Sequence, residues 1–439
     1  MTNKPTYKDA LKFWIKLGFI SFGGPSGQIA IMHEYLVDKK KWISESKFLN
    51  ALNYCMLLPG PEAQQLAAYI GWLLHGIKGG LTAGILFILP SMFILLGLSI
   101  TYVSYGEIPW VYSLFSGLKP AVVAIVIIAL IKIGSKSLVS PLHYIAAASA
   151  FVCINFLNIS FPLIILGSIL LALLSSKIFP EMLKANSENS NTYTDKLNED
   201  EYYLNNNSVI KGIEFNSSKF LKLTFTFLIL WILPFIIIYT YSNNFEFWKT
   251  LYLFFTKTAF VTFGGAYAVL PYVAQFSVEN LKWLTDLQMI DGLALGETTP
   301  GPLVMVLAFV GFMAGYNHFD SSLLMGSLGL TATVYFTFLP CFYFIFAGAP
   351  LIERTQKNNK LKTSLSIVTA AVVGIILNLT IYFGKAVIFP NGISVQSIDI
   401  PSFIWILISL IALYKYKVNI ILWIVISAVF GLVYYLLAG

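Results

Sequence analysis

The chain reads as an all-helical integral membrane protein, and three observations carry that fold class: its composition, a series of long apolar runs and an internal repeat. Of 439 residues, 57% are hydrophobic, 15% are aromatic and only 11% are charged, where an average soluble domain has about 25% charged residues. Apolar runs lie near 79–105, 112–135, 141–157, 160–179, 220–242, 330–350, 364–384 and 402–438. Several reach the roughly 20 residues that a helix needs to cross about 30 Å of hydrocarbon. No period-two alternation competes, so the runs are helices. The lipid bilayer is therefore the chain's first partner, and a multi-pass protein of the cell membrane is expected.

The formal net charge of +7 comes from 27 lysines and one arginine, Arg354, against 21 acids. In a membrane protein such an excess reflects the positive-inside bias rather than a nucleic-acid footprint, and no nucleic-acid partner is expected. The opening stretch MTNKPTYKDALKFWIK holds Lys4, Lys8, Lys12 and Lys16. It lacks the short apolar core and small-residue cleavage site of a secretory leader. Cys55, Cys153 and Cys341 lie singly inside apolar segments and read as small core residues. His33, His75, His143 and His318 show no metal-ligand spacing, and no GxxxxGK[ST] phosphate loop is present. Neither a metal, a cofactor nor ATP hydrolysis is expected.

The repeat appears as gap-free similarity at a constant offset. FWIKLGFISFGGP at 13–25 lies on FFTKTAFVTFGGA at 254–266, and KWISESKFLNALNYCMLLPGP at 41–61 lies on KWLTDLQMIDGLALGETTPGP at 282–302, both displaced by 241. After an insertion near YNHFDSSLL the offset becomes 250, pairing Leu89-Pro90 with Leu339-Pro340 and AVVA at 121 with AVVG at 371. The sequence thus divides into a first repeat at 1–176, a hydrophilic linker at 177–219, an unpaired transmembrane helix at 220–242 and a second repeat at 245–439. The linker, rich in Asn, Ser and acids, cannot enter a bilayer and reads as flexible. One unmatched crossing would turn a second copy with an even number of spans upside down.

Lysine placement tests that inversion. The loop after the first FGG holds Lys39, Lys40, Lys41 and Lys47, while its partner has Lys282 against Glu279 and Asp286. Later loops reverse this: 103–112 has Glu107 and no base, while 353–362 has Arg354, Lys357, Lys360 and Lys362 against Glu353. Parallel copies would keep the same loops basic, so the distribution favours inverted repeats.

Each Pro-Gly-Pro stops one helix and opens another, because proline disfavours helical geometry in the residue before it and suits the first helical position. Thr285 with Gln288 forms a capping-box pattern at the head of the segment leading to the second triplet. The leading segments, 44–58 and 285–299, are too short for a comfortable span. They read as broken or re-entrant helices, which are tolerated only where they are buried in protein or line a wet cavity. Paired breaks in two repeats point to a transporter's binding site. Helix N-termini carry about half a positive charge and free N–H donors, so they suit an anion.

The candidate binding residues are therefore Phe22, Gly23, Gly24, Pro59, Gly60 and Pro61, with Phe263, Gly264, Gly265, Pro300, Gly301 and Pro302 in the second copy. Thr298 and Thr299 could add hydroxyl donors. The bland reading of such glycines and prolines is close helix packing, but four breaks matched at constant offset argue for a site. Lys16 and Lys257 stand six residues before each FGG; each ammonium could reach the cavity or snorkel to the head groups. Glu62 and Glu297 flank the triplets asymmetrically. Glu62 can be a first-turn acid that complements a helix dipole, or a proton-linked switch, and both acids are candidates for ion coupling.

At these residues the chain resembles the chromate ion transporter family in its long form with two homologous domains. The duplicated FGG, the basic-Trp loop at Lys41-Trp42 and Lys282-Trp283, the Pro-Gly-Pro triplets and AAYIGW carry the resemblance. It implies a membrane carrier that exports chromate, with sulfate as a close mimic, and it transfers to Lys16, Phe22, Gly23, Gly24, Pro25, Trp42, Pro59, Gly60 and Pro61 and to their second-copy partners. Ala266 in place of Pro25, and Glu297 where a neutral residue is implied, depart from the pattern. The rival readings are a carrier of sulfate or another anion and a membrane enzyme acting on lipid-linked substrates. The enzyme reading lacks any His-Glu or paired-acid constellation at helical spacing, so no catalytic residue is expected. The sequence allows an oligomer.

Overall fold

Helix boundaries fall where the sequence supplies a physical reason for them. In the computed structural model, which describes residues 4–157, 159–178, 201–205, 208, 216–242, 244–263, 265–355 and 359–438, no β-strand forms among the described residues. Helix α1 (Tyr7–Ile20) is capped by Thr6, whose hydroxyl accepts from the Asp9 amide, and it buries Ala10, Phe13, Trp14 and Leu17 at helical spacing. Helix α2 (Gly24–His33) starts from Gly23 at φ 87°, a left-handed conformation that favours glycine. Ser44 caps α3 (Glu45–Cys55).

Helix α4 (Glu62–Tyr105) follows the first triplet and breaks at His75-Gly76, where Gly76 has φ 65° and ψ −158°. The two arms fold back on each other, and Gly71 and Gly79 let their backbones meet: a Cβ on either would lie within 2.5 Å of the other's carbonyl oxygen. Helices α5 (Pro109–Ser137), α6 (Pro141–Asn155) and α7 (Phe161–Ile178) complete the first half, and proline opens both α5 and α6.

The second half runs through α8 (Ser217–Tyr241), α9 (Phe245–Val261), α10 (Ala266–Gln275), α11 (Asp286–Thr298), α12 (Val306–His318), α13 (Leu323–Thr355), α14 (Asn359–Ile388), α15 (Ile400–Leu410) and α16 (Ile420–Ala438). The expected capping box at Thr285 and Gln288 is present in both directions. The insertion at 316–324 spans the turn at 319–322 between α12 and α13, where the first half has the break at His75-Gly76 in α4. The apolar run at 402–438 is two helices rather than one, parted at 416–419 where Lys417 takes φ 52°.

Six helices among the described residues are long and apolar enough to cross a membrane: those over 62–105, 109–137, 217–241, 323–348, 366–388 and 420–437. Helix α8, the crossing with no match in the first half, buries none of its residues and lies against α9 and α13 through Trp231, Phe235 and Thr224. Most of the linker lies outside the described residues, but 201–205 does not read as a free tether. The Ser44 amide donates to Leu204 O at 2.8 Å, the Leu204 amide donates to Trp42 O at 3.0 Å, and the Leu204 side chain is buried. Glu201 bonds Lys41 and holds its ammonium above the usual lysine range. One apolar side chain entering the core, with its backbone bonds satisfied, fixes a segment whose composition alone suggests flexibility.

The halves interlock. Helix α5 packs against α15 and α16, and α14 packs against α6 and α7. Gly117 of α5 and Gly431 of α16 meet backbone to backbone, as does Gly374 of α14 with Ala147 of α6. A Cβ on Gly117 would lie 2.2 Å from Ser427 O and 2.6 Å from the Gly431 nitrogen. Gly117→Val should therefore cost about 1–3 kcal/mol by overpacking, read as a lower melting temperature of the detergent-solubilised protein; an unchanged melt would mean that α5 and α16 do not meet here.

Candidate functional site

The candidate site is built from four chain breaks that satisfy one another. Helix α1 ends at Ser21 and α9 ends at Thr262, the residues just before each FGG. The Gly60 amide of the first triplet donates to Thr262 O at 2.7 Å, and the Gly301 amide of the second triplet donates to Ser21 O at 2.8 Å. Ser21 and Thr262, like Gly60 and Gly301, are partners at offset 241, so the two bonds are one contact made twice. Each break in one half is closed by the opposite kind of break in the other half.

Smaller features repeat this reciprocity. Ser21 Oγ donates to Leu17 O and Thr262 Oγ1 to Thr258 O, both at 2.5 Å. Lys41 and Lys282 share a left-handed backbone, at φ 52° and 50°. A Cβ on Gly60 would lie 2.8 Å from Cys341 Sγ, and one on Gly301 would lie 3.0 Å from Ser91 Cβ; Ser91 and Cys341 are partners at offset 250. Amide side chains reinforce the crossing: Gln28 Nε2 donates to Gly301 O at 2.5 Å, and Gln65 Nε2 donates to Pro59 O at 2.7 Å. Gly60, Pro61, Pro300, Gly301 and Pro302 are buried, while Pro59, Phe22 and Phe263 are half-buried.

The side chains around this backbone are not symmetric. Gly23 and Gly24, at φ 87° and 69°, have open space where a Cβ would stand. The first FGG therefore leaves the N-terminus of α2 open to approach. At the second FGG the corresponding position, Gly265 at φ 90°, faces Glu62: its carboxylate oxygens lie 3.4 and 3.6 Å from where a Cβ would be. Glu62 is the first residue of α4, and its Oε2 is shut off from solvent with no hydrogen-bond partner among the described residues. Glu297 accepts a bond from the Tyr267 hydroxyl, two residues beyond Gly265. Both candidate coupling acids thus converge on the second loop. Gly264 lies outside the described residues.

The two remaining sets of candidates turn their donors elsewhere. Lys16 and Lys257 are exposed, Lys16 on a face shared with Ile15, Phe19 and Ile20, and Lys257 beside Phe260. The protons of Thr298 and Thr299 are committed to their own helix, at 2.7 Å to Leu295 O and 2.9 Å to Gly296 O. Sequence reasoning missed a buried charged pair, Lys119 of α5 and Asp291 of α11, with Nζ 3.7 Å from Oδ2. The available signal was a lysine inside the apolar run at 112–135, directly before Pro120.

Broken helices meeting at a buried backbone crossing, among spans long enough for a bilayer, define a multi-pass membrane protein with a transporter's architecture. The chain belongs to the chromate transporter family, whose sequence profile matches residues 8–173 and 249–432. It is similar to a probable chromate transport protein of Synechococcus elongatus, 28% identical over 98% of this chain and 97% of that one. A chromate transport protein of Cupriavidus metallidurans is 26% identical over 94% of this chain and 90% of its own. An uncharacterized transporter of Bacillus subtilis, YwrB, is 31% identical over 31% of this chain and 70% of its own. No solved structure matches the chain.

The crossing makes its own demand on sequence. Gly24→Ala meets only the left-handed backbone cost, about 1–2 kcal/mol, whereas Gly60→Ala also drives a methyl to 2.7 Å from Gln65 Nε2 and 2.8 Å from Cys341 Sγ. Thermal melts in detergent should rank Gly60→Ala as the more damaging, with Cys341→Ala partly rescuing it. Equal melts for the two glycine variants would contradict the close approach.

Proposed function

We propose that the chain is a secondary transporter that exports chromate across the cell membrane, with the crossing of the four breaks as its anion site. The observation that carries this reading is the reciprocal pair of bonds, Gly60 to Thr262 and Gly301 to Ser21. A contact in which i meets j and j meets i is what a two-fold axis produces. Together with the lysine distribution it supports two inverted copies related about the crossing. Membership of the chromate transporter family supports the substrate. Sulfate, which shares the shape and charge of chromate, is the alternative anion.

Chromate is a tetrahedral dianion, and the free amides at the head of α2 with the open Gly23-Gly24 loop suit one face of it. The equivalent loop meets the Glu62 carboxylate, so that carboxylate and a second face of the anion compete for one place. Protonating Glu62 would remove that competition, which makes a proton the natural coupling ion. Export needs no ATP: at about 100 mV, inside negative, expelling two negative charges is favourable by roughly 4.6 kcal/mol.

Inside-out vesicles with labelled chromate, under imposed electrical and proton gradients and with excess sulfate, test the reading. Chromate that neither moves nor is displaced by sulfate would sink the substrate assignment. Glu62→Gln should keep potential-driven flux while abolishing its response to a proton gradient; a response that persists removes Glu62 as the coupling group. Lys16→Gln and Lys257→Gln should each cut flux strongly if their ammonium groups meet the anion. Normal flux in both variants would leave them as snorkelling lysines.

A further inference from the structure

Lys119 is the sole buried lysine among the described residues, 6% exposed, and its partner Asp291 is 3% exposed. Their contact is incomplete. The 3.7 Å separation exceeds the roughly 2.7–2.9 Å of a charge-assisted hydrogen bond. Asp291 Oδ2 takes a bond from the Tyr102 hydroxyl at 2.9 Å, while Oδ1 is buried with no partner among the described residues. Lys119 Nζ also lies 5.1 Å from the centre of the Tyr112 ring, and Tyr112 is 53% exposed. The ammonium therefore sits one ring beneath an open face.

A buried pair with unfilled hydrogen-bonding capacity is a poor source of stability. It is also absent from the other copy: at offset 250 Lys119 corresponds to Thr369, and at offset 241 Asp291 corresponds to Asn50. The residues at the matching sequence positions are thus both neutral. The position relative to the crossing is informative as well. Tyr102 stands eleven residues beyond Ser91 on α4, and Asp291 eight residues before Thr299, while Ser91 and Thr299 touch at the crossing at 3.5 Å. At 1.5 Å per residue, that is about 12–17 Å of helix away.

We propose that Lys119 is a second anion station, at which a tetrahedral oxyanion displaces Asp291 from the ammonium as it moves between the crossing and one face of the membrane. Asp291 acts as the resident stand-in for the anion: it keeps Lys119 oriented when the station is empty and competes for it when an anion arrives. Tyr102 retains the released carboxylate through Oδ2. The assignment rests on the reading of the chain as an oxyanion carrier.

The test uses the full chain in proteoliposomes with labelled chromate, and in detergent with sulfate as the probe of thermal stabilisation. Asp291→Asn removes the competitor, so KM should fall about tenfold and the maximal rate should fall with it, because one charge-assisted bond commonly accounts for a tenfold change. Lys119→Thr should raise KM about tenfold or more and abolish the sulfate-dependent stabilisation. The double variant, Lys119→Thr with Asp291→Asn, carries the neutral residue types of the other copy and should retain the raised KM. A double variant with wild-type KM overturns the proposal, since a merely structural pair is repaired by removing both charges. Wild-type protein that moves no chromate, yet is stabilised by sulfate in a Lys119-dependent way, would overturn the transport reading and uphold the station.

Discussion

Two backbone amides, those of Gly60 and Gly301, set the terms for the rest of the molecule. Each lies in a Pro-Gly-Pro break, where the helical ladder cannot serve it, and each is buried. In hydrocarbon surroundings an unpaired N–H costs several kcal/mol. The available acceptors are carbonyls freed by a second kind of break, at Ser21 and Thr262 ahead of the FGG loops. Four separate defects in helices therefore become two satisfied bonds, provided that the halves face each other. The packing of α5 on α15 and α16, and of α14 on α6 and α7, holds them in that relation.

On this near-symmetric backbone the side chains are unequal. Glu62 stands where the other half has Leu303, Glu297 where it has Met56, and Lys119 and Asp291 where it has Thr369 and Asn50. Gln28, which braces Gly301, corresponds to Val269. The symmetric part is what buried backbone chemistry requires, since any alternative leaves an amide bare. The unequal part concentrates carboxylates at one loop and leaves the other open.

Much of this was legible in the sequence, because the features responsible are local and chemically rigid. Proline stops a helix wherever it falls, glycine marks the left-handed positions, and Thr285 with Gln288 announces its own cap. The FGG and Pro-Gly-Pro motifs could be singled out and matched, but their pairing across the halves could not, since periodicity carries no information about which break meets which. Lys16 and Lys257, a matched pair near a motif, look in sequence like part of it, and helical phase turns both toward the exposed face. Lys119 and Asp291 lie 172 positions apart and in unlike contexts. Only the approach of α5 to α11 makes them a pair. Leu204 entered the core from a stretch whose average composition argued for none of its residues doing so.

The reciprocal crossing also bears on how the chain is made. While the first half emerges and enters the bilayer, Ser21 O and the Gly60 amide face surroundings that hold neither of their eventual partners, which lie 280 and 202 residues further along the chain. The same is true of α5, whose neighbours α15 and α16 are synthesised much later. In the half-made protein the crossing therefore stays open, and it can close only once the second half has been made. Any factor that shelters exposed amides during synthesis would act in that interval, before the second half arrives.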